Sequence, residues 1–252
     1  MIKAPLLRWI HMWIGLILGL QFVIWTVSGA MMAVLDMEEV AGGAKPAVTA
    51  LAVPASSRAW PLVHQSLDGQ PVTGVALRPL LDRNVLEVAT PAGVKLFDAV
   101  DGRLVVVTPE LARSVAAAAY AGAGKVSAVL PLTELELAVR THELPIWRVD
   151  FSDAENSSFY VSATTGKLLE RRNDTWRTWD FFWMLHNMDY VNRTSFNHPL
   201  IVVLAFGIIW LAITGFWLLF RTKWRPDFAT TRPSWVTAKG CLRPGAAFDD
   251  AP

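Results

Sequence analysis

The chain has 252 residues, 53% of them apolar and 18% charged, with 23 Lys and Arg against 22 Asp and Glu. So many apolar side chains point to membrane segments, and a net charge near +1 gives no support to nucleic-acid binding. The single cysteine, Cys241, excludes an internal disulfide and any C-x-x-C metal or redox pair.

In chain order, residues 1–8 carry Lys3 and Arg8 and read as a cytoplasmic N-terminus. Trp9–Leu35 contains no Asp, Glu, Lys or Arg over 27 residues, more than the ~20 apolar residues that cross a bilayer. It is too long for the core of a signal peptide, so residues 9–35 are expected to be a retained first transmembrane helix. Asp36, Glu38 and Glu39 follow, and a Gly, Ala and Pro linker without period extends to about residue 56.

Beyond the linker the sequence repeats once. Phe97-Asp-Ala-Val-Asp-Gly-Arg-Leu104 aligns with Val161-Ser-Ala-Thr-Thr-Gly-Lys-Leu168 at an offset of 64, with Ala99 on Ala163, Gly102 on Gly166 and Leu104 on Leu168. Each copy is predicted to be a strand, turn, strand, tight turn, strand meander preceded by a helix, most clearly the alanine-rich Glu110–Tyr120 after Pro109. The copies occupy residues 57–108 and 109–172. An aromatic helix over 173–193 comes next, then a second charge-free run, Thr194–Phe220, read as a transmembrane helix over 194–220. Residues 221–252 open with Arg221, Lys223 and Arg225 and show no stable period over 226–252, so they form a cytoplasmic tail.

Cations flank the outer ends of both spans, which puts both termini in the cytoplasm and residues 36–193 outside it. The expected fold class is an α+β membrane protein: two transmembrane helices flanking an extracytoplasmic insert of two helix-plus-antiparallel-meander units.

The stretches RWIHMWIGLILGLQ at 8–21 and TVSGAMM at 26–32 carry a resemblance. So do the two meanders closing on an Asp/Thr-Gly turn, WDFFWMLHNMDY at 179–190, and FNHPL and AITGFWLLF around the second span. Together they resemble the PepSY-associated transmembrane family over about residues 5–225. The resemblance implies PepSY-like units in the insert and a bacterial inner membrane. It also implies kinship with iron-regulated membrane proteins and ferric-siderophore reductases that hold b-type haem on transmembrane histidines. On that reading the chain is a haem-dependent ferric reductase or a subunit of one, serving iron acquisition.

Five histidines are candidates for such chemistry. His11 shares a helical face with Gly15, Leu18, Phe22, Thr26 and Gly29, which suits either a haem ligand beside small residues or an imidazole reaching the headgroups. His186 would lie on one stripe with Trp176, Trp179, Trp183 and Tyr190, either a cofactor wall or an aromatic belt; the resemblance favours its Leu-His pair as a ligand. His198 stands before Pro199 and reads as interfacial, while His64 and His142 read as surface or core residues of the insert. His142-Glu143 lacks the second histidine of a zinc-protease motif, Ile146 standing in its place.

His11 and His186 are therefore the expected haem iron ligands. They are expected at opposite ends of the membrane, about 27 Å apart at 1.5 Å per residue, so one iron cannot take both. Each would need a second ligand from another copy or another protein, in a homo- or hetero-oligomer formed through the membrane helices. No Gly-rich turn between strand and helix is present for flavin or nicotinamide, so electrons would come from a membrane quinol or another membrane donor and pass to a ferric chelate. The competing expectation is a non-catalytic module, in which the PepSY-like units bind or regulate a partner and the helices only anchor in lipid and pair.

Overall fold

In the computed structural model, residues 4–43, 59–191, 193 and 198–221 are described. The tail expected over 226–252, most of the linker, Cys241 and the first residues of the expected second span lie outside the described residues. The chain divides into two compact units, Met1–Val23 with Pro199–Pro252, and Ile24–His198.

Helix α1, Ala4–Val34, is continuous through the Ser28-Gly29 pair. It holds no charge after Arg8 and leaves Leu16, Ile17, Leu20 and Val23 exposed. The later helix α6, Pro199–Leu219, starts on a proline at a position where the missing N–H costs nothing, and exposes Val203, Phe206, Ile213 and Phe216. At 1.5 Å per residue its 21 residues span about 31 Å, the thickness of the hydrocarbon layer. Bare aliphatic surface of this extent is stable in lipid and not in water. In the first unit the glycines let the helices approach: Leu18 sits over Gly207, and Leu211 over Gly15.

The second unit contains the insert. A short turn of helix, α2, Met37–Val40, is capped by the Asp36 carboxylate, which accepts from the Glu38 N–H at 2.7 Å. Then come helix α3, Ala59–Ser66, and strands β1, Gly74–Leu80, β2, Arg83–Thr90, and β3, Gly93–Asp98, paired antiparallel in the order β1-β2-β3. The second half repeats the plan with helix α4, Pro109–Ala119, and strands β4, Val126–Pro131, β5, Ile146–Phe151, β6, Ser158–Ser162, and β7, Leu168–Arg172, ordered β4-β5-β6-β7. Helix α5, Asp174–Asn187, closes the unit.

Each half thus has a strand, β1 or β4, ahead of the expected meander, which is complete as β5-β6-β7 in the second half and reduced to β2, β3 and a single bridge at Leu104 in the first. The repeat itself is exact in hydrogen bonding. Gly102 and Gly166 both take positive φ (71° and 65°), and their N–H groups donate to Asp98 and Ser162 at 2.9 and 2.8 Å. The cross-strand pairs that follow, Phe97 with Leu104 and Val161 with Leu168, are again 64 residues apart. After Leu104 the first copy makes no further strand, because Thr108 caps α4 and Pro109 carries no N–H for a ladder.

One core serves both copies. Leu80, Val85, Leu96 and Val107 from the first half pack with Ala112, Ala116, Val149, Phe151, Phe159 and Val161 from the second. Ala112, Val115 and Ala116 lie at the spacing of one helical face, which α4 turns onto its own sheet. Tyr120 stacks on Phe151 with ring centroids 4.0 Å apart, and Phe159 meets that pair edge-on. Polar ties reinforce the join: the Trp147 indole donates to the Val107 carbonyl at 2.9 Å, and Glu87 on β2 accepts from Arg78 and Lys167.

Candidate functional site: two histidine and hydroxyl pairs

Within the first unit His11, on α1, meets α6. Its Nδ1 lies 2.8 Å from Thr214 Oγ1, and a methyl group built on Gly215 would stand 3.2 Å from its Cε1. The Trp210 ring lies 6.4 Å away, centroid to centroid. Within the second unit His186, near the end of α5, meets the C-terminal turns of α1. Its Nδ1 lies 3.1 Å from Ser28 Oγ, and a methyl group on Gly29 would stand 3.3 Å from its Cε1. The Trp25 ring is 6.3 Å distant. The same four parts therefore occur twice: imidazole, hydroxyl, the glycine that follows the hydroxyl, and a tryptophan one turn before it.

The hydroxyls decide how each imidazole is protonated. A hydroxyl in a helix commonly donates its one proton to a carbonyl of the preceding turn. Ser28 does so toward Ile24 at 2.7 Å, and Thr214 toward Trp210 at 2.9 Å. With the hydroxyl proton on that carbonyl, each oxygen offers lone pairs to an imidazole Nδ1–H, and the ring tautomer compatible with both bonds carries its hydrogen on Nδ1. In the neutral ring the lone pair is left on Nε2. Ser28 is 1% exposed and Thr214 8%, so water does not compete for these bonds. The glycines complete the arrangement, since any β-carbon there would press on the ring edge.

Of the face predicted around His11, Gly15 and Leu18 pack on α6 as described, and Gly29 meets His186. The aromatic stripe is shorter than expected. Met188 adopts a left-handed conformation (φ 57°) that ends α5, so Tyr190 lies beyond the helix and is exposed. Trp176, Trp179 and Trp183 remain on it, the last two stacked at 6.3 Å. Ser28, Thr214 and Gly215 escaped the sequence reading. A Ser/Thr-Gly dipeptide inside a charge-free apolar run, found at 28–29 and 214–215 but not at 73–74 or 165–166, is the signal that could have found them. His64 is exposed, His198 precedes α6, and His142 pairs with Glu170 at 2.9 Å. Among the described residues no three His, Cys, Asp or Glu side chains gather to hold a bare metal ion.

The family described as the PepSY-associated TM region matches residues 8–238. The chain belongs to that family. Its match takes in both apolar helices, both histidine and hydroxyl pairs and the whole insert, and this PepSY-associated chain is an α+β membrane protein with an insert between two spanning helices. No curated protein and no solved structure matches it.

Proposed function

We propose that the chain is an electron-transfer component of the bacterial inner membrane, with both termini cytoplasmic and the insert periplasmic. It carries b-type haem on His11 and His186 for the reduction of periplasmic ferric chelates in iron acquisition. One observation supports this above the others: His11 and His186 each place Nδ1 within hydrogen-bond reach of a buried helix hydroxyl, an arrangement that suits a tautomer with Nε2 as the electron-pair donor. A histidine that ligates a metal is usually held in this way through its other nitrogen. The glycine against each ring lets a flat macrocycle or a second helix come close. The chemistry of these residues fits a haem: His11 and His186 would each supply one nitrogen ligand to its iron.

When bound, haem supplies one-electron chemistry at a potential set by its ligands and the surrounding polarity. The chain's own residues do the rest. Ser28 and Thr214 orient the rings, and the apolar faces of α1 and α6 exclude water. A second ligand for each iron would come from another copy or a partner subunit, and the electrons would come from a quinol or another membrane donor.

The test is a dithionite-reduced minus oxidised spectrum of protein purified after expression with ample haem. A b-type α-band is expected, halved in His11→Ala and in His186→Ala and abolished in the double variant. Protein without a Soret band under those conditions would overturn the proposal.

A second reading, a membrane-anchored PepSY binding or regulatory module without catalysis, draws support from strand β1. This edge strand leaves Val75 and Leu77 about half exposed, a surface suited to an added strand from a partner. It predicts a colourless protein that captures a peptide or accessory subunit.

A further inference from the structure

On the insert, α5 borders a cavity of about 250 Å³ with an unusual wall. Trp176, Trp179 and Trp183 supply aromatic faces, Arg140 and Arg172 supply cations, and Asp180 lies at its edge. The Arg172 guanidinium stands over the Trp176 ring at 4.3 Å and that of Arg140 faces Trp183 at 5.9 Å.

The charges do not balance within the group. Asp180, 2% exposed at its side chain, is shared between Arg140 at 3.2 Å and Arg193 at 2.8 Å. Glu170 serves both Arg172 at 2.7 Å and His142 at 2.9 Å. Three guanidinium groups therefore face two carboxylates, even with His142 neutral.

Arg140 has capacity to spare. Its terminal nitrogens reach the Leu137 carbonyl and Asp180, while its Nε–H is buried without an acceptor. A buried donor left without a partner is unfavourable, and an acceptor brought to it would satisfy it. Burial pushes the Arg172 guanidinium below its usual value against the opposing charge of Glu170, and the nearby charge of Arg140 adds to the push.

We propose that this cavity binds a planar aromatic carboxylate, its ring against the tryptophans and its carboxylate on Arg140 and Arg172. A volume of about 250 Å³ matches one substituted ring. The arginines select negative charge in a geometry matched to a forked carboxylate, and the indoles select a flat ring over a puckered one. Trp183 stands one turn before His186 on α5, so an occupant of the cavity lies a single helical turn from that histidine. The site is independent of haem loading.

Haem-free full-length protein in detergent is titrated with salicylate, benzoate, cyclohexanecarboxylate, benzyl alcohol and inorganic phosphate, followed by calorimetry and tryptophan fluorescence. Salicylate and benzoate are expected to bind at least ~10-fold more tightly than the other three. Arg140→Gln is expected to weaken salicylate ~10-fold or more, the loss typical of a charged hydrogen bond. Trp179→Leu removes ring surface without touching charge, and Arg140→Gln with Asp180→Asn removes the ion pair together. Both are expected to lose binding while keeping the wild-type circular dichroism. Equal binding of cyclohexanecarboxylate or phosphate would overturn the proposal, as would salicylate affinity unchanged in these variants or no binding of either aromatic acid. Because haem is absent throughout, failure here leaves the spectroscopic test of the histidines standing.

Discussion

Replacing Ser28 with alanine isolates the role given to the hydroxyls. The side chain is fully enclosed, so the variant leaves the His186 Nδ1–H facing a methyl group with no water to replace the lost oxygen. A buried donor stripped of its acceptor costs about 1–3 kcal/mol. At 1.4 kcal/mol per decade that corresponds to between ~5-fold and ~150-fold in ligand affinity, the same range as the ~10–100-fold known for outer-shell partners of metal-bound histidines. The imidazole also becomes free to carry its hydrogen on Nε2, the nitrogen required for ligation. Hemin titration of detergent-solubilised protein, followed at the Soret band in a His11→Ala background, measures the effect at His186 alone. Ser28→Ala is expected to weaken binding within that range, and Ser28→Thr, which keeps the oxygen, to stay within about 3-fold of the parent. At the other pair, in a His186→Ala background, Thr214→Val is expected to weaken hemin binding as Ser28→Ala does, and Thr214→Ser to stay near its parent. If Ser28→Ala and Thr214→Val bind hemin as their parents do, the hydroxyls do not hold the imidazoles for ligation.

Glu87 gives a pH prediction. Burial raises its carboxyl, but hydrogen bonds from Lys167 and Arg78 outweigh this and hold it below the usual carboxylate range. A depressed folded value contributes stability that is fully present above about pH 4.5 and lost as pH falls through the folded value. Melting of the wild type should therefore drop on acidification below pH 4.5 more steeply than that of Glu87→Gln, which should already be about 1–2 kcal/mol less stable at pH 7. Phe159→Ala removes a ring from the shared core and should destabilise the insert by about 3–5 kcal/mol, read as faster limited proteolysis and a lower melting temperature. Gly102→Ala places a methyl 2.5 Å from the Ala59 carbonyl at positive φ, whereas at Gly93, also at positive φ, the space is open. The first variant should lose well over the ~1 kcal/mol expected of the second in the same melting assay.

Much of the fold can be read in the sequence because lipid imposes a strict demand: two long runs without charge have few other uses. The duplicated turn is legible too, since a left-handed position selects glycine at 102 and 166. Strands β1 and β4 are not. β1 contains Arg78 and Pro79 and is largely exposed, so it lacks an alternating pattern, and β4 reaches its partner β5 only after the 14-residue segment 132–145. The site divides similarly. An ionisable ring in an apolar run is conspicuous, and His11 stands out for that reason. Its hydroxyl partner lies 203 residues away, and that of His186 158 residues away, on helices where serine and threonine are ordinary. The cavity depends on Arg140 meeting Asp180 across 40 residues, a proximity that no local period reveals.

The common core of the two repeats has a consequence for their history and their use. Cut between Val107 and Thr108, the earlier repeat would bare Leu80, Val85 and Leu96, and the later one would expose Val149, Phe151 and Val161. Each half would keep a small cluster of its own, Val63, Leu67, Val88 and Phe97 in the earlier and Val139, Ile146 and Tyr160 in the later, but would lose the larger one they share. An ancestral gene doubling here yields a workable product only as an inseparable tandem, and anyone transplanting this element into another scaffold must carry both halves together.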